Sequence, residues 1–117
     1  MAGQRHPKTV QIGPLLWGIS SSLGDYQALA SSENDLKALG FTQLETLQIV
    51  LKPGMPRVLQ QETLLHELLH AIIATQGGVF PTAKGSELEE AAVSAISPML
   101  LTTLRDNVAL REFVLNP

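Results

Sequence analysis

Residues 64–73 read LLHELLHAII, an apolar run interrupted by two imidazoles and one carboxylate. Its centre is the pattern HExxH, with His66 and His70 four residues apart and Glu67 directly after the first histidine. In a helix, residues four apart share a face with Cβ atoms roughly 5 to 6 Å apart, so both rings can offer a nitrogen to one metal ion. Glu67 projects beside them, where a carboxylate can take a proton from a metal-bound water. The spacing predicts a Zn²⁺ site with His66 and His70 as metal ligands and Glu67 as the catalytic general base.

The competing interpretation is a core helix whose histidines make ordinary hydrogen bonds. Leucine and isoleucine surround the motif on nearly every side, so we expect this helix to be largely buried. Buried imidazoles and carboxylates carry a desolvation cost unless they are paired or bound to metal, and this cost favours the metal site. An imidazole turned into bulk water, or two rings too far apart to share one ion, would count against it.

The composition indicates one small globular domain over residues 1–117. Hydrophobic residues make up 44% of the chain and charged residues 16%, which is typical of a folded protein. There is no cysteine, which excludes disulfides, cysteine zinc fingers and thiol catalysis and suits a reducing compartment. We therefore expect a cytoplasmic protein.

The charge pattern bears on the partners. Eight basic and 11 acidic side chains give a net charge of −3 without any basic cluster, so nucleic acid is not an expected partner. The apolar stretch at residues 14–19 is too short for a signal peptide. No run approaches the roughly 18 apolar residues that span a bilayer, so no membrane association is expected.

The first half of the chain predicts a small sheet. Apolar residues nearly alternate over 10–19 around Gly13, which indicates two short strands or one strand with a bulge. Residues 20–25 have turn chemistry, and 28–39, ended by Gly40, indicate a short helix or a loop. The clearest strand covers residues 47–52.

The second half predicts helices. The motif helix should run from about residue 59 to 76 and end at Gly77 and Gly78. Further helices are predicted over 86–104 and 107–115, and Pro98 should kink the first of these or end its first segment near Ser97. The predicted fold is α+β, a minimal zincin-like domain in which a small antiparallel sheet precedes the HExxH helix and a second ligand-bearing helix.

A third metal ligand must come from outside the motif, because Gln76 stands where the longer HExxHxxGxxH pattern has its last histidine. Glu87, Glu89 and Glu90 open the next helix. Glu89 completes a capping box with Ser86, and Glu87 suits the helix dipole, which leaves Glu90 without a local role. The helical wheel instead places Glu89 nearer the apolar face, so both Glu89 and Glu90 remain candidates.

Residues 90–101, EAAVSAISPMLL, resemble the ExxANxFAxxLL helix that follows HExxH in the ImmA/IrrE-like metallopeptidases, a family common in phages and mobile elements. The resemblance covers about half of the chain. It places Glu90 as the third metal ligand beside His66 and His70, and it implies a zinc metallopeptidase that hydrolyses a peptide or protein substrate. The chain departs from the pattern in having Ser94 for the usual asparagine and Pro98 within the helix.

The remaining parts of a peptidase are less defined by the sequence. Tyr26, His6 and Arg105 have the chemistry to stabilise an oxyanion, and the strand at residues 48–52 could pair with an extended substrate. A missing substrate-binding lobe would come from a protein partner or a homo-oligomer.

Two other functions compete with hydrolysis. One is a zinc-binding but non-hydrolytic phage accessory or interaction protein, in which the metal pins two helices together. The other is a metal-free helical interaction module. Retention of Glu67 favours the enzyme, because a structural site has no use for a general base.

Overall fold

The computed structural model describes residues 5–76 and 86–117, with the side chains of the second stretch described from residue 90 onward. Within these residues the elements are β1 (Thr9–Ile12), β2 (Leu15–Ser20), α1 (Leu23–Ser32), β3 (Gly40–Gln43), β4 (Gln48–Leu51), α2 (Arg57–Thr75), α3 (Ser86–Asp106) and α4 (Val108–Leu115). The predicted α+β class is confirmed.

The sheet has the order β1-β2-β4-β3 and is mixed, so the prediction of an antiparallel sheet is wrong for one pair. Strands β1 and β2 form an antiparallel pair, as do β3 and β4, whereas β2 and β4 run parallel. The parallel pair arises because α1 and β3 separate β2 from β4 in the chain, and this long connection returns β4 in the direction of β2. The two-strand interpretation of residues 10–19 is confirmed, with Gly13 at φ +54° in the turn.

The core lies on both faces of the sheet. Strand β4 is central, and Ile49, Val50 and Leu51 are fully buried. One face packs against α2, α3 and α4, and the other packs against α1 through Tyr26 and Ala30. The β-branched and aliphatic run that predicted this strand therefore reflects its burial on both sides.

Helix α1 begins earlier than the sequence suggested. Ser22 is its N-cap and accepts a hydrogen bond from the backbone N–H of Asp25 at 3.1 Å. The serines predicted as a turn thus lead into a helix, because a serine side chain satisfies a free amide of the first turn. Gly40 does not end a helix but opens β3.

The motif helix, α2, agrees with the prediction to within two residues at its start, and the predicted stop at Gly77 and Gly78 lies outside the described residues. Helix α3 continues through Pro98 rather than ending near Ser97. The Gln76 side-chain amide donates to the Ala95 carbonyl at 2.6 Å, three residues before the proline. The bond therefore gives a helix carbonyl a donor from α2, close to the turn in which Pro98 supplies no amide hydrogen.

Asn107, the N-cap of α4, covers the outer edge of β1. Its side-chain oxygen accepts from the Gln11 amide at 2.8 Å, and its side-chain nitrogen donates to the Gln11 carbonyl at 2.9 Å. The outer edge of β1 is thus partly satisfied by a side chain. In the part of the chain that the structure describes, no helix is both long and apolar enough to cross a bilayer.

Candidate active site

Helix α2 is buried on one face only, so the expectation of a largely buried motif helix is wrong for the histidine face. Leu65 and Leu69 are 38% and 39% exposed, and the His66 side chain is 67% exposed. The face packed into the protein consists of Thr63, Leu64, Glu67, Leu68, Ala71 and Ile72. Both histidines are exposed, which counts against the metal site by the criterion stated for the sequence. The desolvation argument for a metal therefore applies to Glu67 and not to the imidazoles.

The two imidazoles nevertheless converge on one point. The Nε2 atoms of His66 and His70 lie 3.2 Å apart, with the ring planes at 69° to each other. Two nitrogens bound to a tetrahedral zinc at 2.0–2.1 Å each stand ~3.3 Å apart, so this spacing fits the ion. The same distance fits an N–H···N hydrogen bond when one Nε2 carries a proton and the other does not. The pair therefore meets the distance requirement for sharing an ion.

Glu67 points from the buried face of α2 toward this pair. The residue is 6% exposed, and its Oε1 accepts a hydrogen bond from the Thr42 hydroxyl at 2.8 Å. Its other oxygen, Oε2, lies 3.9 Å from His66 Nε2. One carboxylate oxygen is thus held by the sheet, and the second lies on the side of the His66 imidazole, where a general base could take a proton.

Strand β3 approaches α2 closely because it begins with glycine. A Cβ placed on Gly40 would lie 2.9 Å from Cγ of Glu67, 3.1 Å from Cγ2 of Thr63 and 3.2 Å from the Val50 carbonyl oxygen. All three distances are shorter than ordinary van der Waals contacts. Gly40 therefore makes the room in which the Glu67 side chain lies against the sheet.

The histidine pair opens into a cleft of about 720 Å³ between β3 and α2. A second recess of about 370 Å³ also reaches His66 and Glu67 and shares Gly40 with the first. His66 and Glu67 therefore lie where two adjoining spaces meet, whereas His70 lines only the larger one. The larger cleft is acidic, since Glu33, Asp35, Glu45 and Glu67 line it.

The third-ligand prediction is not tested by the described side chains. The Glu90 carboxylate is exposed and accepts a hydrogen bond from the Ser94 hydroxyl at 3.3 Å. The side chains of Glu87 and Glu89 lie outside the described residues. Within the described part of the chain, no three His, Asp or Glu side chains form a group that could hold a metal ion. The structure thus brings together His66, Glu67 and His70, and Glu90 stays a prediction.

None of the three residues considered for oxyanion stabilisation lines the cleft. The Tyr26 hydroxyl is used in the fold, where it donates to the Ala38 carbonyl at 2.7 Å. The His6 ring is hydrogen-bonded to the Ser21 hydroxyl in a different recess, and Arg105 is exposed on α3. The strand considered for substrate pairing, β4, is central, so both of its edges are occupied and β3 is the strand that borders the cleft.

Sequence reasoning missed Gly40 and Thr42, the two β3 residues that hold Glu67. A glycine two positions before a threonine, directly ahead of the β4 strand, was a signal for a close-packed edge strand, but Gly40 also suits a helix end. Comparisons of the chain with protein-family models, with curated proteins and with solved structures find no match.

Proposed function

We propose that this protein is a zinc-dependent peptide-bond hydrolase, with His66 and His70 as metal ligands and Glu67 as general base. The observation that carries the proposal is the convergence of the two Nε2 atoms at 3.2 Å beside a buried carboxylate. The resemblance of residues 90–101 to the second ligand helix of the ImmA/IrrE-like metallopeptidases supports Glu90 as the third ligand.

The side chains divide the chemistry among them. A bound zinc ion would supply Lewis acidity, polarising a water molecule and the substrate carbonyl. The Oε2 atom of Glu67 faces the cleft and is the atom that would accept the proton of the attacking water. The same carboxylic acid would then donate that proton to the leaving amine. Glu67 is nearly buried and lines the cleft, so its carboxylate lies at the boundary between the core and the cleft.

The edge of β3 is the surface along which we place an extended peptide. Strand β3 pairs only with β4 within the described residues, so its other edge is open toward the cleft. An extended peptide can add to such an edge through main-chain hydrogen bonds. This arrangement would place the peptide backbone alongside His66 and Glu67.

The test has a metal arm and a catalytic arm. Native protein, His66→Ala and Glu67→Gln are dialysed against Zn²⁺ and their bound metal is measured. We expect native protein and Glu67→Gln to bind zinc and His66→Ala to lose it. The zinc-loaded native protein and Glu67→Gln are then incubated with a broad peptide library. Cleavage by the native protein and not by Glu67→Gln supports hydrolysis, and background cleavage by both overturns it.

A zinc-binding but non-hydrolytic accessory protein is the second candidate. The exposure of Leu65 and Leu69 beside the histidines favours it, because apolar residues around a site also suit a protein-binding surface. This reading predicts zinc uptake without cleavage of any library member by native protein or Glu67→Gln. Absence of zinc uptake by native protein would remove both candidates.

A further inference from the structure

Strand β3 meets α2 through alternate residues. Gly40 and Thr42 face the helix, whereas Phe41 lies on the opposite face, with its ring centroid 5.8 Å from that of Tyr26. Because side chains alternate across a strand, residues two apart lie on the same face, and Gly40 and Thr42 both contact the same helix residue. That residue is Glu67.

The Thr42 hydroxyl donates a hydrogen bond from the sheet to the Glu67 carboxylate. It lies 2.8 Å from Oε1 and 3.1 Å from the Glu67 backbone carbonyl oxygen. In the described part of the chain, no other side chain donates a hydrogen bond to this carboxylate, and the His66 ring nitrogen stands 3.9 Å away. A nearly buried carboxylate without this donor would lose its one short hydrogen bond.

The bond to Thr42 also affects the orientation of Oε2, the other oxygen of the Glu67 carboxylate. A glutamate side chain has several rotatable bonds, and its useful rotamer is the one in which Oε2 faces the histidine pair. A bond to Oε1 restricts the carboxylate without occupying the oxygen that would take the proton. We propose that Thr42 is a positioning residue, which holds Glu67 in the orientation it needs as general base. This inference rests on the proposed hydrolase function.

The first test reads the carboxylate directly and needs neither metal nor activity. Glutamate carboxyl carbons are labelled with ¹³C, and the Glu67 signal is assigned as the one that Glu67→Gln lacks. In Thr42→Val we expect the signal to move toward those of the exposed glutamates. In Thr42→Ser, which keeps the hydroxyl, it should stay near its native position. Thr46→Val, which removes a hydroxyl bonded to the Gln43 side chain in an exposed turn, is the matched control and should leave the signal unchanged.

The second test uses hydrolysis by the zinc-loaded variants. Thr42→Val should lower kcat by about 10–100-fold with KM unchanged, as loss of an outer partner of a catalytic group does. Thr42→Ser should restore most of the rate, and all variants should bind zinc as the native protein does. An unmoved Glu67 signal in Thr42→Val, or a serine variant as slow as the valine variant, would overturn the inference. If native protein cleaves no peptide, the hydrolase proposal fails, while the carboxyl signal still decides whether Thr42 holds Glu67.

Discussion

Gly40 and Glu67 approach so closely that a single added carbon would force them apart. A Cβ on Gly40 would lie 2.9 Å from Glu67 Cγ and 3.2 Å from the Val50 carbonyl oxygen, and the second of these atoms belongs to the backbone. The strand and the helix are therefore in contact at the residue proposed as general base, so the packing of β3 on α2 and the proposed catalytic role depend on the same position.

Replacing Gly40 with alanine should destabilise the protein by about 1–3 kcal/mol, because overpacking a filled space moves neighbouring groups. The free energy of unfolding in urea measures this loss. Gly24→Ala is the control, since a Cβ there meets nothing within 4 Å and alanine is favoured in α1. The control should be as stable as the native protein or more so. Equal stability of Gly40→Ala and the native protein would contradict the close approach.

The N-terminus of α1 should give the protein a pH-dependent contribution to its stability. The Ser20 hydroxyl donates to the Asp25 carboxylate at 2.6 Å, and this bond, followed by that of Ser22, holds the pKa of Asp25 below its usual value of 3.8. A carboxyl whose pKa is lower in the folded state stabilises the fold above its unfolded-state pKa. That contribution is lost as the pH falls through the lower folded-state pKa.

Asp25→Asn removes the titrating group at the same position. Urea unfolding of both proteins, from neutral pH down to about pH 2.5, should show the stability advantage of the native protein shrinking below pH ~4. The advantage should be constant above that range. A gap that does not change with acidification would show that Asp25 has the same pKa in the folded and unfolded states.

The elements predicted well are those whose burial follows from local sequence. The run Ile49, Val50 and Leu51 is buried whichever face is considered, so its composition alone indicated β4. The motif helix was likewise predicted from its apolar spacing. The exposure of the histidine face was not predicted. The sequence pattern around Leu65 and Leu69 is the same whether another element covers that face of the helix or leaves it in contact with water.

The part of the candidate site that lies on one helix was predicted from the spacing of its residues. The contacts that other elements make with it were not predicted. His66, Glu67 and His70 are local to α2, so their convergence follows from helical geometry. Thr42 lies 25 residues from Glu67 in the sequence, and its partner depends on the packing of β3 against α2. The parallel pairing of β2 with β4 is likewise a property of the connection through α1.

The third ligand can be assigned by comparing two neighbouring carboxylates. Glu90→Gln should weaken zinc binding by more than about 100-fold, beyond the usual effect of losing an outer partner, whereas Glu89→Gln should have little effect. Zinc affinity is measured by competition with a chromophoric chelator. Asp106→Asn, at the far end of α3 and exposed, is the control. A large loss in Glu89→Gln alone would transfer the role to Glu89, and small losses in both variants would exclude Glu89 and Glu90 as the third ligand.

The acidic lining of the cleft should select substrates by charge. Four of the 11 acidic residues line it, at positions 33, 35, 45 and 67, whereas none of the lysines and arginines in the described residues does so. A cleft lined by one sign of charge raises the local concentration of oppositely charged ligands. Peptides with lysine or arginine near the scissile bond should therefore bind better than peptides with glutamate or aspartate there.

Reversing the three charges on the rim tests this selection without touching the motif. The variant Glu33→Lys, Asp35→Lys and Glu45→Lys should raise KM for basic peptides by about 10-fold, which corresponds to about 0.5 kcal/mol at each of the three exposed positions. Added salt should reduce the difference between variant and native protein, because exposed charges are screened. Asp106→Lys, outside the cleft, is the control for a single charge reversal away from the site, and it should leave KM for basic peptides unchanged. If basic and acidic peptides have the same KM in the native protein at low salt, substrate choice is set by the shape of the cleft and the edge of β3 rather than by these carboxylates.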